Sequence, residues 1–190
     1  DFMVSLLVLF AKVMKADGKL LKSELDYVKG FLKRNLSRQQ SQVFIKTFQE
    51  ILKQEYSTSD VCRQIQKSMD HPSRLELMHV LFGLSASDGE IHPSEIKVIH
   101  TIAGYLNISH KDYESIKAIF IKDVDSSYKI LEIDASATDS DVKKAYRKMA
   151  VKYHPDKVAH LGKEIQKTAE NKFKAVNDAY NEIKRQRNLK

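Results

Sequence analysis

Three adjacent residues, His154, Pro155 and Asp156, are the best equipped in this chain to do chemistry, and they stand between two stretches of helical spacing. Proline fixes its own φ and pushes the residue before it out of the helical region, so His154 is predicted to be extended and the turn stiff. An imidazole and a carboxylate held on a stiff turn bind at low entropic cost, which suits recognition. No serine or cysteine stands beside them as a nucleophile, so the motif reads as a binding group and the chain as no enzyme. Just upstream, Lys144, Lys148 and Lys152 follow at four-residue steps, with Lys143 and Arg147 as a second row. Like charges so spaced on a helix repel one another, and such a face steers an acidic partner toward it.

A second set of groups is acidic. Asp17 and Glu24 recur as Asp88 and Glu95, each pair spaced as in the second half of a calcium loop. The first half of such a loop is missing, because Val13 and Lys15 in one copy and Leu84 and Ala86 in the other stand where oxygen donors belong. Two readings of the four carboxylates follow: a divalent-cation site, or acidic residues in first helical turns that complement the dipole, with Pro93 at a first-turn position. The seven histidines never fall at the His-x-x-x-His spacing of a zinc site, and apart from His154 they read as ordinary surface or core residues. Cys62 is the single cysteine; a lone helical thiol reads as packing, and no internal disulfide is possible.

The elements that position these groups are helical throughout. Apolar residues recur on one face in Leu6, Leu9, Phe10, Val13; in Val28, Phe31, Leu32; in Phe48, Ile51, Leu52; and in Leu75, Met78, Leu81, Phe82, whereas strand-like alternation is absent. The fold class is all-α. The segment Ala16-Asp17-Gly18-Lys19-Leu20 with Ser23-Glu24-Leu25 recurs 71 residues later as Ser87-Asp88-Gly89-Glu90-Ile91 with Ser94-Glu95-Ile96. Two copies of helix, Asp-Gly turn and helix predict a pseudo-symmetric bundle. With 42% hydrophobic and 30% charged residues the 190-residue chain is globular, and its lone cysteine points to a reducing compartment. The net charge of +7 is uneven: residues 1–124 carry 17 basic and 15 acidic side chains, residues 125–190 carry 15 and 10.

The duplication resembles the TerB (tellurite-resistance) helical domain over residues 1–121. A short linker, 122–127, leads to a second domain, 128–190. There Tyr128-x-x-Leu131, the run Val142 to Lys157 around His-Pro-Asp, and Asn171 to Tyr180 resemble a J domain of the DnaJ/Hsp40 family. Val142, Ala145, Met149 and Tyr153 share the face that would pack on Ile165, Ala169, Phe173, Val176 and Tyr180, an antiparallel helical hairpin with the turn at its joint. The resemblance implies a cochaperone that docks on a DnaK-type Hsp70 and stimulates its ATP hydrolysis. His154, Pro155 and Asp156 would be the triggering loop, and Lys143, Lys144, Tyr146, Arg147, Lys148 and Lys152 the docking face. ATP and magnesium would belong to the Hsp70. The TerB-like domain would serve a client, a partner or a cation. One departure is Glu132, which stands where the family usually has glycine after Leu131.

Two rival readings exist. One is a scaffold or stress-response interaction protein with a degenerate J domain, against which the intact His-Pro-Asp argues. The other is nucleic-acid binding along the lysine rows, which lack aromatic interleaving beyond Tyr146. The domain order is that of a DnaJ-like membrane protein, and the likeness, if full, implies a cytoplasmic chain at the inner membrane, anchored ahead of Asp1. The apolar run Phe2 to Phe10 is itself far short of the ~20 residues that span a bilayer and reads as a buried helix.

Overall fold

A computed structural model describes residues 2–189, the side chain of Glu164 excepted. All regular structure among the described residues is helical, as the spacing predicts. The chain divides into two compact units between Ile108 and Ser109.

The first unit holds α1 (Phe2–Met14), α2 (Lys22–Asn35), α3 (Arg38–Leu52), α4 (Thr58–Ser68), α5 (His71–Ser85) and α6 (Pro93–Tyr105). Helices α1 and α5 are repeat counterparts, and both are buried on nearly all sides because both run through the core: Leu7, Leu9, Phe10, Met78, Leu81 and Phe82 are fully buried. The repeat shows in the packing, since α1 lies against α6 just as α5 lies against α2. After each central helix the chain reverses at an Asp-Gly turn. Gly18 and Gly89 have φ of 79° and 98°, the left-handed region that a side chain resists, while Asp17 and Asp88 accept from the backbone N–H of Lys19 and Glu90. Aspartate two residues before an N–H, followed by glycine, makes this turn from local chemistry alone.

The second unit holds α7 (His110–Phe120), α8 (Ser126–Ile130), α9 (Asp139–Lys152), a 3-10 segment (Pro155–Leu161) and α10 (Lys163–Arg187). Helices α9 and α10 form the expected hairpin: Val142, Ala145, Met149 and Tyr153 are buried with Ile165, Ala169 and Val176, and Tyr146 stacks on Tyr180 at 4.2 Å.

The division of the chain differs from the one expected from sequence. Helix α7, expected in the first domain, belongs to the second unit, and residues 122–127 fall inside that unit as the entry to α8. The reason lies in one face of α7. Asp112, Ser115 and Ile116, spaced to share a helix face, are all buried, and the polar two find partners on α8, α9 and α10: Ser115 Oγ donates to Ile130 O at 2.9 Å and accepts from Lys172 Nζ at 3.0 Å. By its offset α7 corresponds to α3 of the first repeat, yet it closes the second unit. Residues 122–127 are themselves ordered by hydrogen bonds. Ser126 Oγ accepts from Asp123 N at 2.6 Å, and Lys129 Nζ reaches Asp123 Oδ2 at 2.5 Å.

Candidate functional site

Thr138 starts α9 with a reciprocal cap: its Oγ1 accepts from Asp141 N at 3.2 Å and its own N–H donates to Asp141 Oδ2 at 3.2 Å. The helix then runs straight to the His-Pro-Asp turn. His154 has φ −64° and ψ 128°, the extended conformation that the following proline imposes. The residues beyond it wind into a 3-10 segment. Pro155 stands in its first turn, where a fixed φ is an asset and a missing N–H costs nothing, and Val158, 2% exposed, pins the segment to the hairpin.

His154 Nδ1 lies 3.4 Å from the backbone N of Asp156 and 3.5 Å from its carboxylate oxygen Oδ2. Accepting the Asp156 N–H through Nδ1 assigns the remaining proton of a neutral ring to Nε2. Both side chains stay accessible, with His154 52% and Asp156 83% exposed. On the inner side the imidazole meets Phe173 of α10 edge to face at 6.0 Å. The turn therefore presents one imidazole and one carboxylate to solvent from a braced position.

Lys143, Lys144, Arg147 and Lys148 are all exposed on α9. Tyr146 is half-buried among them, its hydroxyl donating to Asn177 Oδ1 at 2.9 Å. Lys152 does not share this face. Its ammonium pairs with Asp112 of α7 and lies 2.6 Å from Glu132 Oε1, and the two carboxylate side chains are only 6% and 7% exposed. A step of four residues advances about 40° around a helix, so two steps turn Lys152 about 80° away from Lys144 and into the packed side. Glu132 has φ 59°, a left-handed position. That conformation suits the glycine usual in the family, and glutamate tolerates it here with its carboxylate tied to Lys152.

This buried cluster was not anticipated from sequence. Asp112 is held below the ordinary carboxylate range: burial alone would raise it, but Lys152 and the Ser109 hydroxyl outweigh burial. Burial pushes Glu132 up, and Lys152 is also pushed up, because two carboxylates outweigh its desolvation. Lys172, 1% exposed, extends the cluster with its ammonium 4.5 Å from the Tyr153 ring centre. At the far end Arg187 of α10 donates to Ala135 O and Ala137 O at 2.6 Å each and lies over the Tyr128 ring, holding the connection between α8 and α9. The one sequence signal for the cluster was Glu132 in a glycine position.

In the first unit Asp17, Glu24, Asp88 and Glu95 do line one cavity of about 180 Å³. Among the described residues, no three acidic, histidine or cysteine side chains are placed to hold a metal ion. Glu24 and Glu95 serve as caps, and Asp17 and Asp88 as the turn acceptors described above. Glu24 accepts from Leu21 N at 2.9 Å and Glu95 from His92 N at 2.8 Å, the two copies repeating one bond. Burial raises Glu24 to about 7, with Glu95, Asp17 and Asp88 adding to the rise, and Glu95 is raised by burial too. Burial also pushes the Cys62 thiol up to about 12, consistent with a packing role.

A duplicated helix-turn-helix bundle followed by a hairpin that displays His-Pro-Asp defines a two-part chain, and comparison with known families gives the same division. The family model "Tellurite resistance protein TerB" matches residues 3–118 and the DnaJ domain model matches residues 126–188. The chain belongs to the TerB family and carries a DnaJ domain at its C-terminal end. Over 230 aligned positions it is 26% identical to the co-chaperone protein DjlA of Vibrio vulnificus, covering 100% of this chain and 79% of that protein. The DjlA of Coxiella burnetii is 23% identical, over 93% of this chain and 74% of its own length. The chaperone protein DnaJ of Fusobacterium nucleatum is 57% identical over 53 residues, which is 28% of this chain and 14% of the DnaJ. No solved structure matches. The TerB match thus reaches into α7, which packs with the residues of the DnaJ match. Among the described residues no helix is long and apolar enough to cross a membrane.

Proposed function

We propose that the chain is a cochaperone whose C-terminal unit docks on a DnaK-type Hsp70 in the cytoplasm and stimulates its ATP hydrolysis. The observation that carries this reading is the exposed His154-Pro155-Asp156 turn, braced by Phe173, at the end of a helix with four exposed cations. Relatives named co-chaperone DjlA, aligned along the whole chain, support it. Lys143, Lys144, Arg147 and Lys148, with Tyr146 among them, form the docking face. They attract an acidic surface and speed encounter, an effect that fades as salt rises past ~0.1 M. His154 and Asp156 then offer a donor and an acceptor at fixed positions, so binding favours the hydrolysing state of the partner. The bond chemistry takes place in the partner.

The test is single-turnover ATP hydrolysis by a bacterial Hsp70 with the full chain. The expected result is stimulation that the His154→Gln variant loses and that 0.5 M salt weakens, a concentration at which exposed charges are screened within about 5 Å. Absence of stimulation by folded wild-type protein overturns the reading.

A further inference from the structure

The residue that precedes the His-Pro-Asp turn and the ring that backs it both connect to one helix outside the DnaJ match. Tyr153, 3% exposed, donates its hydroxyl to Asp112 Oδ1 at 3.4 Å, and Lys152, the residue before it, pairs with the same carboxylate. On the opposite side Lys172 reaches Ser115 Oγ at 3.0 Å, and its neighbour Phe173 is the ring against His154. Asp112 and Ser115 lie three residues apart on α7, so a single helix face grips both walls of the turn. Asp112 is itself fixed: its N–H donates to Ser109 Oγ at 3.1 Å, and that hydroxyl donates back to Asp112 Oδ2 at 2.8 Å. Glu132 adds the third side of the grip through Lys152.

We propose that Asp112 is a positioning residue for the His154-Pro155-Asp156 turn, so that the activity of the C-terminal unit depends on α7, a helix that lies ahead of the DnaJ match. Chemistry favours this use of the site over simple packing. A buried ion cluster contributes little net stability compared with apolar residues of similar volume, but it fixes the geometry of the groups it pairs. Here the fixed groups adjoin His154 directly. The proposal rests on the cochaperone reading for its activity readout, while its structural consequence can be read in the free protein.

The test uses the full chain with Asp112→Asn, which keeps the shape and removes the charge, and Tyr153→Phe, which removes only the hydroxyl and keeps the buried ring. Glu114→Gln, on α7 but outside the grip, is the control. The expected outcome for Asp112→Asn is a fall of about tenfold in maximal Hsp70 stimulation, with the half-saturating concentration within about twofold of wild type because the docking face is untouched. The His154 ring protons, followed by NMR in the free protein, move in Asp112→Asn and move less, in the same direction, in Tyr153→Phe. Should Asp112→Asn fail to fold, Tyr153→Phe decides through the His154 resonances. Unmoved resonances with unchanged maximal stimulation overturn the proposal, and so does a rise in half-saturating concentration at constant maximum, which would place Asp112 in docking. If wild-type protein gives no stimulation, the cochaperone reading fails and the His154 resonances alone decide whether Asp112 positions the turn.

Discussion

Two buried carboxylates in this chain, Glu24 of the first unit and Asp112 of the second, are shifted in opposite directions. In the first unit Glu24 and Glu95 sit with Asp17 and Asp88 around one cavity, and the groups that raise Glu24 toward neutrality are its own burial and those neighbouring carboxylates. In the second unit Asp112 is held in its charged form, because Lys152 lies between it and Glu132. A capping hydrogen bond from a backbone N–H does not offset burial among like charges at Glu24, whereas the shared ammonium and the Ser109 hydroxyl together do so at Asp112, though not at Glu132. The first arrangement costs stability near neutral pH. The second spends little on stability and orders the residues beside the His-Pro-Asp turn.

Removing the shared cation is expected to have the largest effect. Lys152→Met leaves two carboxylates buried together, and the second unit is expected to lose about 3 kcal/mol at pH 8, read from the slowest amide exchange in α9. The loss shrinks as pH falls and the carboxylates protonate; a loss independent of pH would show that the contrast is not electrostatic. The reverse manipulation is Glu24→Gln, which keeps the cap to Leu21 and removes the charge. Because the folded group titrates at about 7 and the unfolded one near the ordinary 4.5, wild-type stability falls as pH rises from about 4.5 to about 7 and stays low above it. The variant is expected to gain on the order of 2 kcal/mol at pH 8 and nothing at pH 4, measured by amide exchange in α2. The smallest effect is expected from Glu132→Gly, which relieves a left-handed glutamate while removing one partner of Lys152. The two contributions oppose each other, and the net change stays within about 1 kcal/mol.

Much of this arrangement was legible in the sequence because its chemistry is local. The Asp-Gly turns, the acidic first-turn caps at Glu24 and Glu95, and the extended His154 before Pro155 each depend on residues within a few positions of one another. The α9–α10 hairpin was equally legible, since apolar spacing on both helices defines matching faces. What the sequence did not reveal was partnership at a distance. The spacing of Asp112, Ser115 and Ile116 marks a buried face on α7 but does not say against which unit, and family boundaries drawn from sequence assigned that helix to the TerB part. Lys152 looked like a third step in an exposed row. Its rotation toward Asp112 and Glu132 depends on a helix forty positions upstream and on a left-handed residue whose side chain reaches back.

The measurement that tests the account most directly is the single-turnover ATPase rate of a DnaK-type Hsp70 with wild-type protein and with His154→Gln, at matched concentrations and with folding checked by circular dichroism. The account predicts stimulation by the wild type and its loss in a variant that remains helical. Equal stimulation by both proteins, or none by a folded wild type, would contradict it.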